Sequence, residues 1–351
     1  MRKRVASVAV LAASALIAIT GCSQTGSAEP GSAPSELVFS GWGGIVDEAM
    51  YEAAFDPYTE ETGITVVNDS PLSAVKLKSM VEADNVTWDL TMASAVESVR
   101  YCGDLYEQVD MSRFDIDDFV PGTVAGCAIP HNYFSTAMVY DTKEFGDNPP
   151  TTLADFFDLD KYPGKRLFPE DGAEYGLEFA LLADGVAPED LYPLDVERAL
   201  AKLDTIKSEI VFWKLGDEQV QAMEAGAVSM GIVWTGRGLQ VAQNGGSFDV
   251  VWGTHVIGVT NLAIPKGTKN FDAVMDLLEY TLQPERQAKM NELVGYSAAN
   301  LRAEPNLTEV QQHWDPLFGG KSVDVAFTPD YEFWAENLEG VQTAVSNWAI
   351  G

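Results

Sequence analysis

The side chains best suited to chemistry are two tryptophans, two acids and one arginine. Trp42 and Trp234 each come just after a predicted strand, Arg237 follows the second tryptophan by three residues, and Asp171 and Glu174 share one loop. Indole faces attract cations, carboxylates bind amines through charge-assisted hydrogen bonds, and a guanidinium favours a carboxylate or phosphonate. These residues could hold a small charged molecule, and the two acids could alternatively act as an acid–base pair.

Other motifs argue against nucleotide, hydrolase and metal sites. Gly41-Trp42-Gly43-Gly44 stands between a predicted strand and a predicted helix, but the third glycine of a dinucleotide fingerprint would fall on Val46. The sequence has no G-x-S-x-G elbow and no phosphate-binding P-loop. The histidines (His131, His255 and His313) and the few cysteines make a poor metal site. We expect neither a metal nor a cofactor, and no catalysis.

The charge of the chain excludes one class of partner. Its 351 residues carry a formal charge of −31, which repels phosphate backbones and argues against nucleic-acid binding. We attribute this acidity to the solubility of an exported surface rather than to the charge of a ligand. A hydrophobic fraction of 46% is typical of a well-packed protein, and the length is enough for two lobes.

The N-terminus predicts export and lipidation. Basic residues start the chain and precede an apolar run from 5 to 20, which is shorter than the roughly 20 residues of a membrane span. The run ends Ile19-Thr20-Gly21-Cys22, which resembles a bacterial lipobox. We predict a signal peptide at residues 1–21, lipidation of Cys22 and a flexible tether at residues 22–35. The alternative is an ordinary signal peptide with an incidental cysteine.

Two further cysteines, Cys102 and Cys127, form an even pair in a chain that is predicted to be exported. Such a pair indicates a disulfide. It would close a loop of roughly 25 residues and stabilise the fold by about 3 kcal/mol on the chain-entropy model. Two buried free thiols are the alternative.

Strand and helix patterns alternate along the chain, which predicts mostly parallel sheets with helices on both faces. The predicted strands are 37–40, 64–67, 88–92, 135–140, 210–213, 228–233 and 261–265. The predicted helices include one ending at Gly63, then 74–83, 152–157, one capped by Asp195, 217–225, 271–282, one beginning at Pro284 and a helical tail over 306–348.

Five motifs stand in the order found in extracellular solute-binding proteins of the spermidine/putrescine type, and the chain resembles that family over nearly all of its mature length. They are Ser40-Gly41-Trp42-Gly43-Gly44, Glu61-Thr62-Gly63-Ile64, Pro163-Gly164-Lys165-Arg166, Trp234-Thr235-Gly236-Arg237 and Leu262-Ala263-Ile264-Pro265-Lys266-Gly267. The resemblance implies an α/β, type II periplasmic-binding-protein fold with two lobes, each a mainly parallel sheet flanked by helices, joined by two strands. The implied lobes are 36–137 plus 262–300 and 138–261 plus 301–351, with crossings near 136–140 and 259–262.

The resemblance also implies a ligand site. The family's tryptophans and acidic pair match Trp42, Trp234, Asp171 and Glu174. Where the polyamine binders of the family have a Trp and an Asp before the returning strand, this chain has Gly258 and Thr260. Arg237 is a second departure, and it disfavours a second ammonium. Each tryptophan could instead be core, the acids could be solvated loop charges, and Arg237 could form a salt bridge.

These features predict a monomeric solute-binding lipoprotein that works outside the cytoplasm and is anchored to the membrane. It would bind a small amine or zwitterion by lobe closure and deliver it to the permease of an ABC importer. The candidate ligands are polyamines, amino acids and molecules like 4-aminobutanoate (GABA). The alternatives are a sugar or ferric ion on the same fold, or a lipoprotein enzyme that uses Asp171 and Glu174.

Overall fold

The computed structural model of this protein describes residues 34–170, 175–317 and 326–350. The predicted signal peptide and Cys22 lie outside these residues, as do Asp171 and Glu174. No helix within the described ranges combines the length and the apolar character needed to cross a membrane.

The described residues alternate between strands and helices. The strands are β1 (Glu36–Ser40), β2 (Thr65–Asn68), β3 (Leu90–Ser94), β4 (Tyr106–Glu107), β5 (Ile129–Asp141), β6 (Arg166–Pro169), β7 (Ile210–Trp213), β8 (Met230–Trp234), β9 (Phe248–Pro265), β10 (Ser297–Ala298) and β11 (Ala326–Phe327). The helices are α1 (Ile45–Met50), α2 (Asp56–Thr62), α3 (Ala74–Glu82), α4 (Ala95–Arg100), α5 (Thr142–Phe145), α6 (Leu153–Phe157), α7 (Gly176–Ala183), α8 (Val196–Asp204), α9 (Gly216–Glu224), α10 (Thr235–Gln243), α11 (Phe271–Thr281), α12 (Pro284–Val294), α13 (Glu309–Trp314) and α14 (Tyr331–Ile350). A π-helical segment, Tyr51–Phe55, joins α1 to α2.

The predicted alternation of strands and helices is confirmed, and the local signals explain several element ends. Thr152 caps α6 in a capping box with Asp155, and the Asp195 side chain accepts from the Arg198 amide at the start of α8. Gly226 follows α9 with a φ of 63°, the left-handed conformation that suits glycine beyond a helix C-terminus. The predicted helical tail is wrong as a single element, because β11 lies between α13 and α14.

The strands join in the order β2-β1-β3-β9-β5-β8-β6-β7. The outer strands pair in parallel on both sides, as β2-β1-β3 and β8-β6-β7. The central pairings, β3-β9, β9-β5 and β5-β8, are antiparallel. The two outer groups are therefore the predicted parallel sheets, and the long central strands connect them.

The two central strands are longer than the predicted ones. The strand predicted at 135–140 is part of β5, which has 13 residues, and the strand predicted at 261–265 is the end of β9, which has 18 residues. β5 and β9 pair with each other from Ile129↔Leu262 to Asp141↔Phe248, with register shifts between Pro130 and Asn132 and between Ala137 and Met138. Both predicted crossings therefore lie within two continuous, mutually hydrogen-bonded strands.

Separate apolar clusters lie on the two sides of these strands. One includes Phe39, Phe55 and Leu278 from the first outer group and its helices. Another includes Phe156, Phe179 and Ile232 from the second. Helix α14 reaches both clusters, since Tyr331 packs in the first and Trp334 in the second. In the structure Cys102 and Cys127 are joined by a disulfide with Cα atoms 5.2 Å apart.

Candidate functional site

A row of buried and partly exposed residues crosses the centre of the sheet on one face. Thr260 of β9 pairs with Ser94 of β3 and with Asn132 of β5. Two residues further along β5, Phe134 pairs with Gly258, and two residues beyond that Thr136 pairs with Trp234 of β8. Residues that are directly paired, or two apart on a strand, share a face. The predicted site residues Thr260 and Trp234 therefore lie on the same face, in what we call the central row: Ser94, Thr260, Asn132, Gly258, Phe134, Thr136 and Trp234.

Two buried polar atoms in the central row lack a partner. Asn132 Oδ1 and Thr136 Oγ1 are inaccessible to solvent and make no hydrogen bond within the described residues. Buried polar atoms are normally hydrogen-bonded, because leaving one unpaired costs free energy. In contrast, Ser94, Thr260, Phe134 and Trp234 each keep part of their surface exposed. The row thus combines buried polar atoms with side chains that stay partly exposed.

Three partly exposed rings meet at the β8 end of the central row. The ring centroid of Phe134 lies 6.2 Å from that of Trp234 and 6.4 Å from that of Tyr296, the residue before β10. Trp234 also packs edge-on against the buried Trp213, at 5.1 Å. We call Phe134, Trp234 and Tyr296 the aromatic corner. Its rings are held by one another and by Trp213, so they form a preorganised surface.

Arg237 lies in the first turn of α10, beside this corner. Its guanidinium lies over Gly216 at the start of α9, where an added Cβ would come within 2.4 Å of Nε. Nη1 donates to Gln240 Oε1 at 3.2 Å and lies 3.9 Å from Asp217 Oδ1. Nε is buried and makes no hydrogen bond to any described residue. Burial raises the pKa of Tyr296, and the nearby charge of Arg237 opposes that rise.

The surroundings of Arg237 favour an anion. The N-terminal ends of α9 and α10 meet there, after the carboxyl ends of β7 and β8. Helix N-termini present unpaired amides and a partial positive charge, and α10 has no side-chain cap. Asp217 and Glu218 stand in the first turn of α9, so the uncapped end beside Arg237, which is suited to a carboxylate, is that of α10.

Trp42 lies at the carboxyl end of β1, in the other outer group. Its side chain is exposed (47%), and Gly43 and Gly44 after it have φ values of 83° and 68°. Below the loop, the Gly41 amide donates to Ser70 Oγ at 2.8 Å and Ser70 Oγ donates to Asp47 Oδ2 at 2.6 Å. A Cβ at position 41 would come within 2.4 Å of Asp47 Oδ1, so only glycine fits. The base of the loop is thus fixed, while the ring of Trp42 is exposed.

The predicted site residues fall into three groups. Trp234, Arg237 and Thr260 lie in or beside the central row, and Trp42 lies on the other outer group of strands. Asp171 and Glu174 lie outside the described residues, in the segment that follows β6. The structure therefore brings the first three together and does not describe the acidic pair.

The sequence analysis missed Phe134, Asn132 and Tyr296. Phe134 and Asn132 face the site only through their pairing with β9, and Tyr296 precedes a strand of two residues. The alternation in Asn132, Phe134 and Thr136 was the one available signal, because it puts these three side chains on the same face of a strand.

A buried Ser–His pair lies on the opposite face of the same strands. Ser135 Oγ lies 2.6 Å from His255 Nδ1 and donates to the Val256 carbonyl at 2.8 Å. Both side chains are fully buried, and burial lowers the pKa of His255 to about 4. The hydroxyl is thus engaged with the β9 backbone close to the register shift between Ala137 and Met138, and it is not exposed to a substrate.

Comparisons with known proteins identify the family. The sequence model described as "Bacterial extracellular solute-binding protein" matches residues 53–317. The chain belongs to this family. Members of this transport family capture a solute outside the cytoplasm for an importer, so the resemblance read from the motifs is confirmed.

Individual relatives of this solute-binding protein support the same family assignment. A "Gamma-aminobutyric acid-binding protein" of Pseudomonas aeruginosa is 32% identical over 321 residues, which cover 89% of this chain and 90% of that protein. A "Spermidine/putrescine-binding periplasmic protein" of Escherichia coli is 25% identical over 287 residues, which cover 78% of this chain and 80% of that protein. A solved structure described as "Structure of Atu4243-GABA receptor" superposes with a TM-score of 0.82 at 33% identity, covering 90% of this chain and 97% of that one. The fold is that of type II periplasmic binding proteins.

Proposed function

We propose that this solute-binding protein captures a short zwitterion with a carboxylate at one end and an ammonium at the other, such as an ω-amino acid. The observation that carries the proposal is the position of Arg237, whose Nε is buried without a hydrogen bond to any described residue. A carboxylate against the exposed part of the guanidinium would receive charge-assisted hydrogen bonds from it and from the α10 N-terminus.

The ammonium end would lie on the aromatic corner. The faces of Trp234, Tyr296 and Phe134 attract a cation, and their partial exposure leaves room for one. Asp171 and Glu174 could add carboxylates from the segment after β6. The identity of the "Gamma-aminobutyric acid-binding protein" to this chain, 32% against 25% for the polyamine-binding relative, supports the same ligand class.

A polyamine is the second candidate ligand, since several relatives are described as spermidine/putrescine-binding proteins. It would bring an ammonium to each end of the site. Next to Arg237 the second ammonium would meet a like charge, which disfavours binding. We therefore expect polyamines to bind more weakly than zwitterions of similar length.

We further propose that binding closes two lobes, made of residues 36–137 plus 262–300 and 138–261 plus 301–351. The separate apolar clusters and the continuous strands β5 and β9 support this division. Trp42 lies on the first lobe, and Trp234 with Arg237 lies on the second. A ligand that contacts both would shift the population towards the closed form, in which a monomer would meet the permease.

We also propose that the protein is made with a signal peptide at residues 1–21 and then anchored by lipid on Cys22. The tether, residues 22–35, has no large apolar residue and would link the lipid anchor to the folded lobes. Metabolic labelling with a fatty-acid analogue tests this. Label on the wild type and not on the Cys22→Ala variant is the expected result.

Titration calorimetry tests the ligand class. The purified mature protein would be titrated with 4-aminobutanoate, 5-aminopentanoate, putrescine and spermidine, and with butanoate and butylamine as analogues that have one charged end. The zwitterions should bind most tightly, and each analogue should lose about tenfold or more because one end has no partner. Binding of neither zwitterion would overturn the proposal, and tighter binding of putrescine would favour the polyamine alternative.

A further inference from the structure

The pairing of Phe134 with Gly258 suggests how the site selects ligand size. The two residues are direct partners in β5 and β9, on the face that carries the central row. A Cβ built on Gly258 would lie 2.3 Å from Phe134 Cζ and 2.5 Å from Cε2. The Phe134 ring therefore occupies the space above position 258, and any side chain there would collide with it. Glycine within a strand commonly marks such a close approach.

The Phe134 ring is also held in that position from its other side. Its centroid lies 6.2 Å from Trp234 and 6.4 Å from Tyr296. Gly236 supports the same arrangement, since a Cβ there would come within 2.2 Å of Tyr296 Cε1. Two glycines thus let three rings pack together, and packed rings keep a fixed shape.

The ring divides the central row. On one side lie Asn132 and Thr260, and on the other lie Thr136 and Trp234, each one step of two residues away along β5. Such a step spans about 7 Å. A long, flexible ligand would need continuous space along the row, and the ring fills the middle of it.

We propose that the Phe134–Gly258 pair is the size-determining element of the ligand site, and that it restricts the site to ligands with about three or four CH₂ groups between the carboxylate and the ammonium. This rests on the proposed function and adds a prediction about length. The ring would act by excluding longer molecules as well as by contacting short ones.

The test compares a ligand-length series across variants. The ligands are 4-aminobutanoate, 6-aminohexanoate and 8-aminooctanoate, and the protein is the purified mature chain, either wild type or with Phe134→Ala, Phe134→Leu or Phe134→Ala/Gly258→Ala. The wild type should prefer the shortest ligand. Phe134→Ala should shift the ratio of the dissociation constants for the longest and shortest ligands by about tenfold or more towards the longest, because one CH₂ group in a fitted pocket already changes binding by roughly tenfold. Phe134→Leu should shift it less.

Glycine variants supply the control. Gly258→Ala alone should weaken every ligand, because its Cβ collides with the ring, and the same change should be harmless once Phe134 is Ala. Gly340→Ala in α14, where a Cβ meets nothing within 4 Å, should leave binding unchanged. Circular dichroism and thermal unfolding would establish that each variant is folded.

The outcomes separate this inference from the proposed function. If the wild type binds no zwitterion, the proposed function itself fails. If the wild type binds the short ligand and folded Phe134→Ala keeps the same length preference within about twofold, the size-determining role is wrong while the function stands. Additive effects of Phe134→Ala and Gly258→Ala would also overturn it, because residues in collision must couple.

Discussion

The two tryptophans that we propose for the ligand site are packed differently, although Trp234 ends a strand and Trp42 comes just after one. Trp234 packs edge-on against Trp213 and Phe134, at 5.1 and 6.2 Å, and its amide donates to Gln219 Oε1 at 3.0 Å. Trp42 is 47% exposed and makes no ring contact with any described residue. The ring of Trp234 is thus already packed against its neighbours, whereas most of the surface of Trp42 that a ligand could cover is still exposed.

This difference suggests a division of labour. A preformed surface loses little side-chain entropy on binding, so it can give most of the affinity. An exposed ring on a loop with two positive-φ glycines can adjust, and it gains contacts only after the ligand is bound. We expect the side with Trp234 and Arg237 to determine which ligand binds, and the side with Trp42 to determine how long it stays.

Replacing Arg237 should have the largest effect. Arg237→Gln removes the positive charge while keeping a polar side chain, and it should weaken a zwitterion by about 3 to 4 kcal/mol, since the ligand carboxylate loses its charged partner. Butylamine, which has no carboxylate, should bind equally well to both proteins. Calorimetry with both ligands checks this. A similar loss for both would mean that Arg237 only supports the structure, through Gln240 and Asp217.

A buried acid lies in helix α7, whose apolar residues pack in the second of the two clusters. Glu178 in α7 is fully buried, and its Oε1 accepts from Tyr192 at 2.6 Å and from Trp334 of α14 at 2.8 Å. Burial raises the pKa of Glu178 to about 7, from 4.5. Because the pKa of Glu178 is higher in the folded than in the unfolded protein, its protonated form contributes to the stability of the fold. That contribution is fully present below pH 4.5 and is lost as the pH rises through 7.

The second prediction concerns how the stability of the fold changes with pH. Between pH 4.5 and pH 8 the Glu178 contribution should fall by up to about 3 kcal/mol, and Glu178→Gln, which is neutral at every pH, should not show that loss. Denaturant unfolding of both proteins across this range measures the difference. The free energies of unfolding of the two proteins must be subtracted at each pH, because two buried histidines also change the stability. Burial lowers the pKa values of His131 and His255 to about 4, so both remove stability as the pH falls below 6.5, and they do so equally in the two proteins. A constant difference between the two proteins would contradict the assignment.

Trp234→Ala should have the next largest effect, about 2 kcal/mol on ligand affinity, because an aromatic face and its apolar area are both lost. The dissociation constants of the wild type and of Trp234→Phe provide the comparison, and Trp234→Phe should keep most of the affinity. Unchanged affinity in a folded Trp234→Ala protein would mean that Trp234 serves only the core around Trp213.

Local signals in the sequence predicted much of the fold and only part of the site. Asp195 and Gly226 mark helix ends through the backbone atoms beside them, so they could be read from the chain. The first 13 residues of β9 were missed, because glycines at 253 and 258 and the polar Thr254 interrupt the apolar pattern. The alternation puts Phe134 on one face of its strand with Asn132 and Thr136, but which residues it meets there depends on the register of two strands that are distant in sequence.

The smallest effect is expected at Trp42, and it provides the sharpest test of the comparison. Trp42→Ala should cost about 1 kcal/mol, since the ring is exposed without ligand and contributes only what it buries on closure. Because that contact forms after the ligand has settled against Trp234, the loss should appear as faster dissociation, with an association rate close to the wild-type value. Stopped-flow fluorescence can measure both rates, because Trp234 remains as a reporter.

Trp42→Phe and Ser70→Ala separate the ring from its support. Trp42→Phe keeps a ring and should restore most of the residence time. Ser70→Ala leaves the ring intact but removes the hydroxyl between the Gly41 amide and Asp47, so it should loosen the base of the loop and speed dissociation less than Trp42→Ala does. If Trp42→Ala instead slows association, or costs as much as Trp234→Ala, then Trp42 takes part in the first encounter. The two walls would then be equivalent, and the order of events inferred from their packing would be wrong.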